Sequence, residues 1–120
     1  MAKKVLIVDD SVFMQMTLKD ILVRAGYEVA GEAEGSDDAV RKYTSLKPDL
    51  VTMDIVILGE GGIAAVRKIL AHDPGARVLM VSAMGQQALI VEAIQSGAKG
   101  FVIKPFKPEQ VLAEIHRIIG

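Results

Sequence analysis

The sequence contains no cysteine, which excludes disulfide staples, thiolate metal sites and a thiol nucleophile. Tryptophan is also absent, and three Phe with two Tyr make up the whole aromatic complement. Any core must therefore be filled by aliphatic side chains. No apolar run approaches the roughly 20 residues that a membrane-spanning helix needs. Nor is there a surplus of either charge: 14 basic against 15 acidic side chains leave a net charge of −1. No basic arm or stripe invites nucleic acid. The opening Met1-Ala2-Lys3-Lys4-Val5 passes straight into a strand-like run, and no signal peptide can be drawn there. These absences predict a cytoplasmic, single-domain protein over residues 1–120, with neither membrane nor nucleic acid among its partners.

What is present is an alternation of short β-branched runs with longer helical patterns. Val5-Leu6-Ile7-Val8 reads as a strand covered on both faces, because such strands are continuously apolar. Asp10 or Ser11 offers a cap for a helix ending near Gly26. Met14, Leu18, Ile21, Leu22 and Ala25 recur along it at helical spacing as one buried stripe. Further strands are expected at Tyr27–Ala33, Leu50–Met53, Val78–Val81 and Phe101–Ile103. Helices are expected over Ser36–Leu46, after the glycine-rich stretch Gly59-Glu60-Gly61-Gly62, over Gln86–Ser96 and from Pro108, a residue suited to a helix start. Five strands alternating with five helices predict an α/β fold, a flavodoxin-like parallel sheet of order 2-1-3-4-5 with helices on both faces.

In such sheets the binding crevice lies beyond the C-terminal strand ends. Strand one ends in Asp9-Asp10, strand three in Asp54, strand four in Ser82 and strand five in Lys104-Pro105. Helix caps and turn residues explain each of these taken singly, but not acidic, hydroxyl and cationic groups together on one edge. Carboxylates gathered there repel one another unless a cation lies between them, and an all-oxygen set suits Mg²⁺. With that charge neutralised, a carboxylate can act as nucleophile toward a phosphate donor and form an acyl phosphate. Lys104 would share the charge on the transferring group, and Ser82 could hydrogen-bond it afterwards.

The stretches Val5-Leu6-Ile7-Val8-Asp9-Asp10, Met53-Asp54, Ser82-Ala83-Met84 and Lys104-Pro105-Phe106 together resemble the receiver domains of bacterial response regulators, and the resemblance spans the chain. It implies Asp54 as the phosphorylated residue, with Lys104 and Ser82 completing the catalytic set. It implies Mg²⁺ held by Asp9, Asp10, Asp54 and the backbone carbonyl of Val56. Ser82 and Phe101 become the two parts of a conformational switch, and the Lys104-Pro105 bond is expected to be cis. Ser82-Ala83-Met84-Gly85-Gln86-Gln87 is similar to stand-alone chemotaxis receivers of the CheY type. That likeness implies a CheA-type histidine kinase as phosphoryl donor and the flagellar motor switch as target. The docking face would be the fourth helix, fifth strand and fifth helix, a phosphatase is a further expected partner, and the chain is expected to be monomeric. It would be no enzyme beyond catalysing its own phosphorylation and dephosphorylation.

Other readings of the same pattern are a phosphorelay intermediate or a phosphate sink. A flavin carrier is disfavoured by negative charge where the cofactor phosphate would sit. An aspartate-nucleophile phosphohydrolase would show Asp-x-Asp after the first strand, and this chain has adjacent aspartates there. One departure from the receiver pattern follows Asp54, where Ile57-Leu58 replace Met-Pro. Glycine at 59 and 61 predicts a loosened loop and affects the Val56 carbonyl; alternatively Leu58 packs on the third helix. Val56 and Met84, both apolar, are expected to shield the acyl phosphate from water.

Overall fold

The computed structural model describes residues 2–120; Met1, at the head of the predicted domain, lies outside them. Strands β1 (Lys4–Val8), β2 (Glu28–Ala33), β3 (Leu50–Asp54), β4 (Val78–Ala83) and β5 (Gly100–Lys104) alternate with helices α1 (Val12–Arg24), α2 (Ser36–Leu46), α3 (Gly62–His72), α4 (Gln87–Gln95) and α5 (Pro108–Ile119). The sheet runs β2-β1-β3-β4-β5, and every neighbouring pair is parallel. Both the order and the parallel sense are those expected from the sequence.

Alternation along each strand divides the apolar residues between two cores. Leu6, Val8, Val51, Met53, Val78 and Met80 pack with α2, α3 and α4. Val5, Ile7, Leu50, Leu79 and Val81 pack with Leu18 and Leu22 of α1 and with Val111, Ile115 and Ile119 of α5. A sheet covered on both faces is why these strands read as unbroken apolar runs. No helix among the described residues is long and apolar enough to cross a membrane.

The ends of α1 refine the sequence reading. Ser11, rather than Asp10, is the cap: its hydroxyl accepts the Met14 N–H at 3.2 Å. At the other end Gly26 takes φ +92°. Its N–H donates to the Val23 carbonyl and that of Tyr27 donates to Leu22, the paired closure of a Schellman turn. This turn claims Tyr27, so β2 starts one residue later than predicted. It also leaves Ala25 exposed past the helix end, and the buried stripe consists of Leu18, Ile21 and Leu22, with Met14 packed at its edge.

Thr52 sits between Val51 and Met53 in β3, fully buried, and its hydroxyl has no hydrogen-bond partner. A buried polar group left unpaired costs about 1–3 kcal/mol. Replacing Thr52 with valine keeps the branched shape and removes the hydroxyl. Thr52→Val is expected to raise stability by about 1 kcal/mol, read as a higher urea midpoint at unchanged slope. A lower midpoint would show that the hydroxyl is paired in solution.

Candidate functional site

Parallel strands bring their C-terminal ends to one edge, and the order places β1 and β3 side by side at its centre. Asp9 follows β1 and Asp54 closes β3; they are only 1% and 7% exposed. Asp10, the next residue, is exposed. One carboxylate oxygen from each of the three lies within 4.8 Å of the others. Lys104, at the end of β5, reaches over β4 and donates to Asp9 Oδ2 at 3.0 Å and Asp54 Oδ2 at 3.1 Å. Asp9 is further fixed by the Ser11 N–H on its Oδ1 at 2.9 Å, and its carbonyl accepts from the Gln15 side chain at 2.7 Å.

The charges in this crevice do not cancel. Burial, helped by the negative charge of Asp9, raises the pKa of Asp54 above its ordinary value, although Lys104 and the Val56 N–H act in the opposite sense. Burial also opposes the charge on Lys104, but its bonds to Asp9 and Asp54 outweigh that and raise its pKa. Lys104 therefore keeps its charge at neutral pH. With all groups ionised, three carboxylates face one ammonium, leaving negative charge for a further cation. The donors are hard oxygens, closely spaced and partly open to solvent, and the set fits a divalent ion such as Mg²⁺.

The loop after Asp54, glycine-rich as it is, is tied to the turn before α2. Leu58 forms a parallel bridge with Gly35. Its N–H donates to Glu34, its carbonyl accepts from the Ser36 N–H, and the Ser36 hydroxyl accepts from the Glu60 N–H at 2.9 Å. Leu58 itself is exposed, and Ile57 is the buried member of the pair. The glycines are geometric requirements. Gly59 has φ +85°, and a Cβ there would lie 2.5 Å from the Ser36 hydroxyl. A Cβ at Gly62 would lie 2.1 Å from the Asp54 carbonyl oxygen, so α3 begins directly against the backbone of the central aspartate.

Ser82 is at the end of β4, one residue beyond Val81, the register partner of Asp54. Its hydroxyl is buried and engaged locally, with Gln86 Oε1 at 2.9 Å and the Ala83 carbonyl at 3.0 Å. Phe101 on β5 is 42% exposed. Val56 and Met84, after β3 and β4, are exposed as well. The Lys104-Pro105 peptide is cis. The structure thus gathers Asp9, Asp10, Asp54 and Lys104 into one cluster and leaves Ser82 and Phe101 with other surroundings. The bonding roles of two residues escaped the sequence reading, Ser36 and Gln86, each placed there at the start of a helix. A glutamine where short polar caps are favoured was the available signal for the second.

Residues 5–116 match the response regulator receiver domain, and the chain belongs to that family of two-component signalling proteins. It is 53% identical over 118 residues to the chemotaxis protein CheY of Thermotoga maritima, covering 98% of both chains. Against CheY of Bacillus subtilis the identity is 50% over 120 residues, end to end. A chain of the CheX–CheY–BeF3–Mg²⁺ complex of Borrelia burgdorferi superposes with a TM-score of 0.91 at 36% identity, over 96% of this chain and 87% of that one.

The elevated pKa of Asp54 carries a sign. A carboxyl that holds its proton more tightly when folded lowers stability as pH rises from its ordinary value of 3.8 through its folded value. In metal-free buffer Asp54→Asn is therefore expected to be more stable than the wild type at neutral pH. The difference should shrink to nothing below the ordinary aspartate range. Denaturant melts across pH read it directly; equal stabilities at neutral pH would remove the electrostatic argument.

Proposed function

We propose that this receiver accepts a phosphoryl group on Asp54 from a histidine kinase of the CheA type and signals in chemotaxis. The observation that supports this best is the Asp54 carboxylate, nearly buried within the acidic cluster and held by Lys104 at 3.1 Å. One carboxylate oxygen of Asp54 forms a P–O bond as the donor's P–N bond breaks, giving an acyl phosphate. The other is held by Lys104, which orients the nucleophile and stays positive throughout the pH range of the reaction.

Asp9, Asp10, Asp54 and the Val56 carbonyl are the residues that would hold Mg²⁺. When bound, it supplies positive charge for the phosphoryl oxygens and screens the carboxylates from one another. Ser11 and Gln15 keep Asp9 in place for that role. Ser82 then turns its hydroxyl toward the phosphoryl group, and Phe101 answers by moving from its exposed position. The readout face is α4, β5 and α5, where Leu89, Val91, Ile94 and Phe101 are exposed. Its partner on this reading is the flagellar motor switch, with a phosphatase resetting the signal. The protein works as a cytoplasmic monomer and turns over no substrate beyond its own phosphoryl group.

Incubation with acetyl phosphate and Mg²⁺, followed by intact mass, should show one added phosphoryl per wild-type chain and none on Asp54→Asn. Labelling of the variant would move the acceptor elsewhere. Val56 and Met84 are 57% and 76% exposed apolar side chains beside the crevice, and on this reading they obstruct attacking water. The phosphorylated form should accordingly persist well beyond the seconds range after donor removal, as followed by phosphate release. Loss within seconds would refute the shielding role alone.

A further inference from the structure

Gln86 makes contacts that the receiver reading leaves unexplained. Its Oε1 accepts the Ser82 hydroxyl at 2.9 Å and the Ala83 backbone N–H at 2.8 Å. A backbone N–H can only donate, so it is the oxygen of the carboxamide that faces β4. One neutral oxygen thus collects two donors on the rim of the crevice, at the two positions following the register partner of Asp54. Gln86 is also the N-cap of α4, yet its side chain makes no bond to its own helix. N-cap side chains usually satisfy the first free N–H groups of the helix. Here that side chain is spent on the preceding strand instead.

We propose that Gln86 is a positioning residue for the switch, a resting latch whose carboxamide oxygen, anchored by the Ala83 N–H, engages the Ser82 O–H for which a phosphoryl oxygen on Asp54 would compete. The proposal rests on Asp54 being the acceptor. The single Ser82 proton is shared at rest between Gln86 Oε1 at 2.9 Å and the Ala83 carbonyl at 3.0 Å, and it cannot serve a phosphoryl oxygen at the same time. A charged phosphoryl oxygen accepts more strongly than a neutral amide, and the exchange runs forward once Asp54 is modified. Because the latch belongs only to the resting state, it weakens the apparent affinity for anything that binds the active one. Its release frees the cap of α4, which carries the event from the crevice to the first turn of the readout face.

The test uses beryllofluoride with Mg²⁺ as the phosphoryl stand-in, followed by backbone amide NMR. Gln86→Met keeps length and removes the acceptor. It should bind beryllofluoride about three- to tenfold more tightly than wild type, the scale of one lost resting hydrogen bond. Gln86→Glu keeps an acceptor oxygen and adds a charge, and should bind more weakly than wild type. On a Ser82→Ala background most of the Gln86→Met gain should vanish. A residue that merely supports the fold would lower the denaturation midpoint without tightening binding. Unchanged or weaker binding by a folded Gln86→Met protein therefore overturns the latch. In the free protein the Ala83 amide should exchange faster in Gln86→Met; exchange as slow as wild type overturns it equally. Wild type that takes up no beryllofluoride refutes the reading of Asp54 and the latch with it, whereas uptake by wild type without tighter binding by folded Gln86→Met overturns the latch alone.

Discussion

The bridge from Lys104 to Asp9 and Asp54 is the interaction on which the rest of the site depends. It ties the ends of β1, β3 and β5 together while passing over β4. Two nearly buried carboxylates on adjacent strands would drive each other apart or take up protons without a cation between them. Lys104 supplies part of the compensation, enough to hold the fold's central edge closed, and leaves enough negative charge to attract a divalent ion. A buried pair of this kind is weak evidence of stabilisation in itself. Its meaning here is positional: it aligns the Asp54 carboxylate.

Around that bridge, the backbone does most of the positioning. Ser11 N–H fixes Asp9, and α3 abuts the Asp54 carbonyl through Gly62. The loop between them is pinned to the turn before α2 through Leu58 and Ser36. Phe101 and the Ser82 hydroxyl lie outside this set. Phe101 is exposed and Ser82 is turned to Gln86. The molecule thus surrounds a closely tied acidic centre with neighbours that make no bond to it, an arrangement compatible with a site whose modification is read out elsewhere.

Much of this was legible in the sequence, and the reason is physical. Strands buried on both faces leave continuous apolar runs, such as Val5–Val8 and Val78–Val81, and parallel order then dictates which residues share an edge. Asp9, Asp10, Asp54 and Lys104 were found that way. What escaped was set by contacts between distant loops. Leu58 was expected either in a loosened loop or packed on α3; neither expectation included its backbone bridge to Gly35, since no local pattern encodes such a bridge. Ala25 matched the helical period but fell beyond a turn that Gly26 and Tyr27 close together. Gln86 looked like an ordinary helix start because its partner, the Ser82 hydroxyl, becomes visible only when the end of β4 is folded beside it.

The close approach at Gly62 bears on how such a protein can diverge. The segment following Asp54 is anchored at both ends, by the Gly35–Leu58 bridge and by a helix start with no room for a side chain. Its outward positions, Val56, Leu58 and Glu60, are exposed and free to drift in chemistry. Its length and its final glycine are not. Descendants of this chain can retune the entrance to the crevice residue by residue, but an insertion or deletion there would shift the aspartate itself.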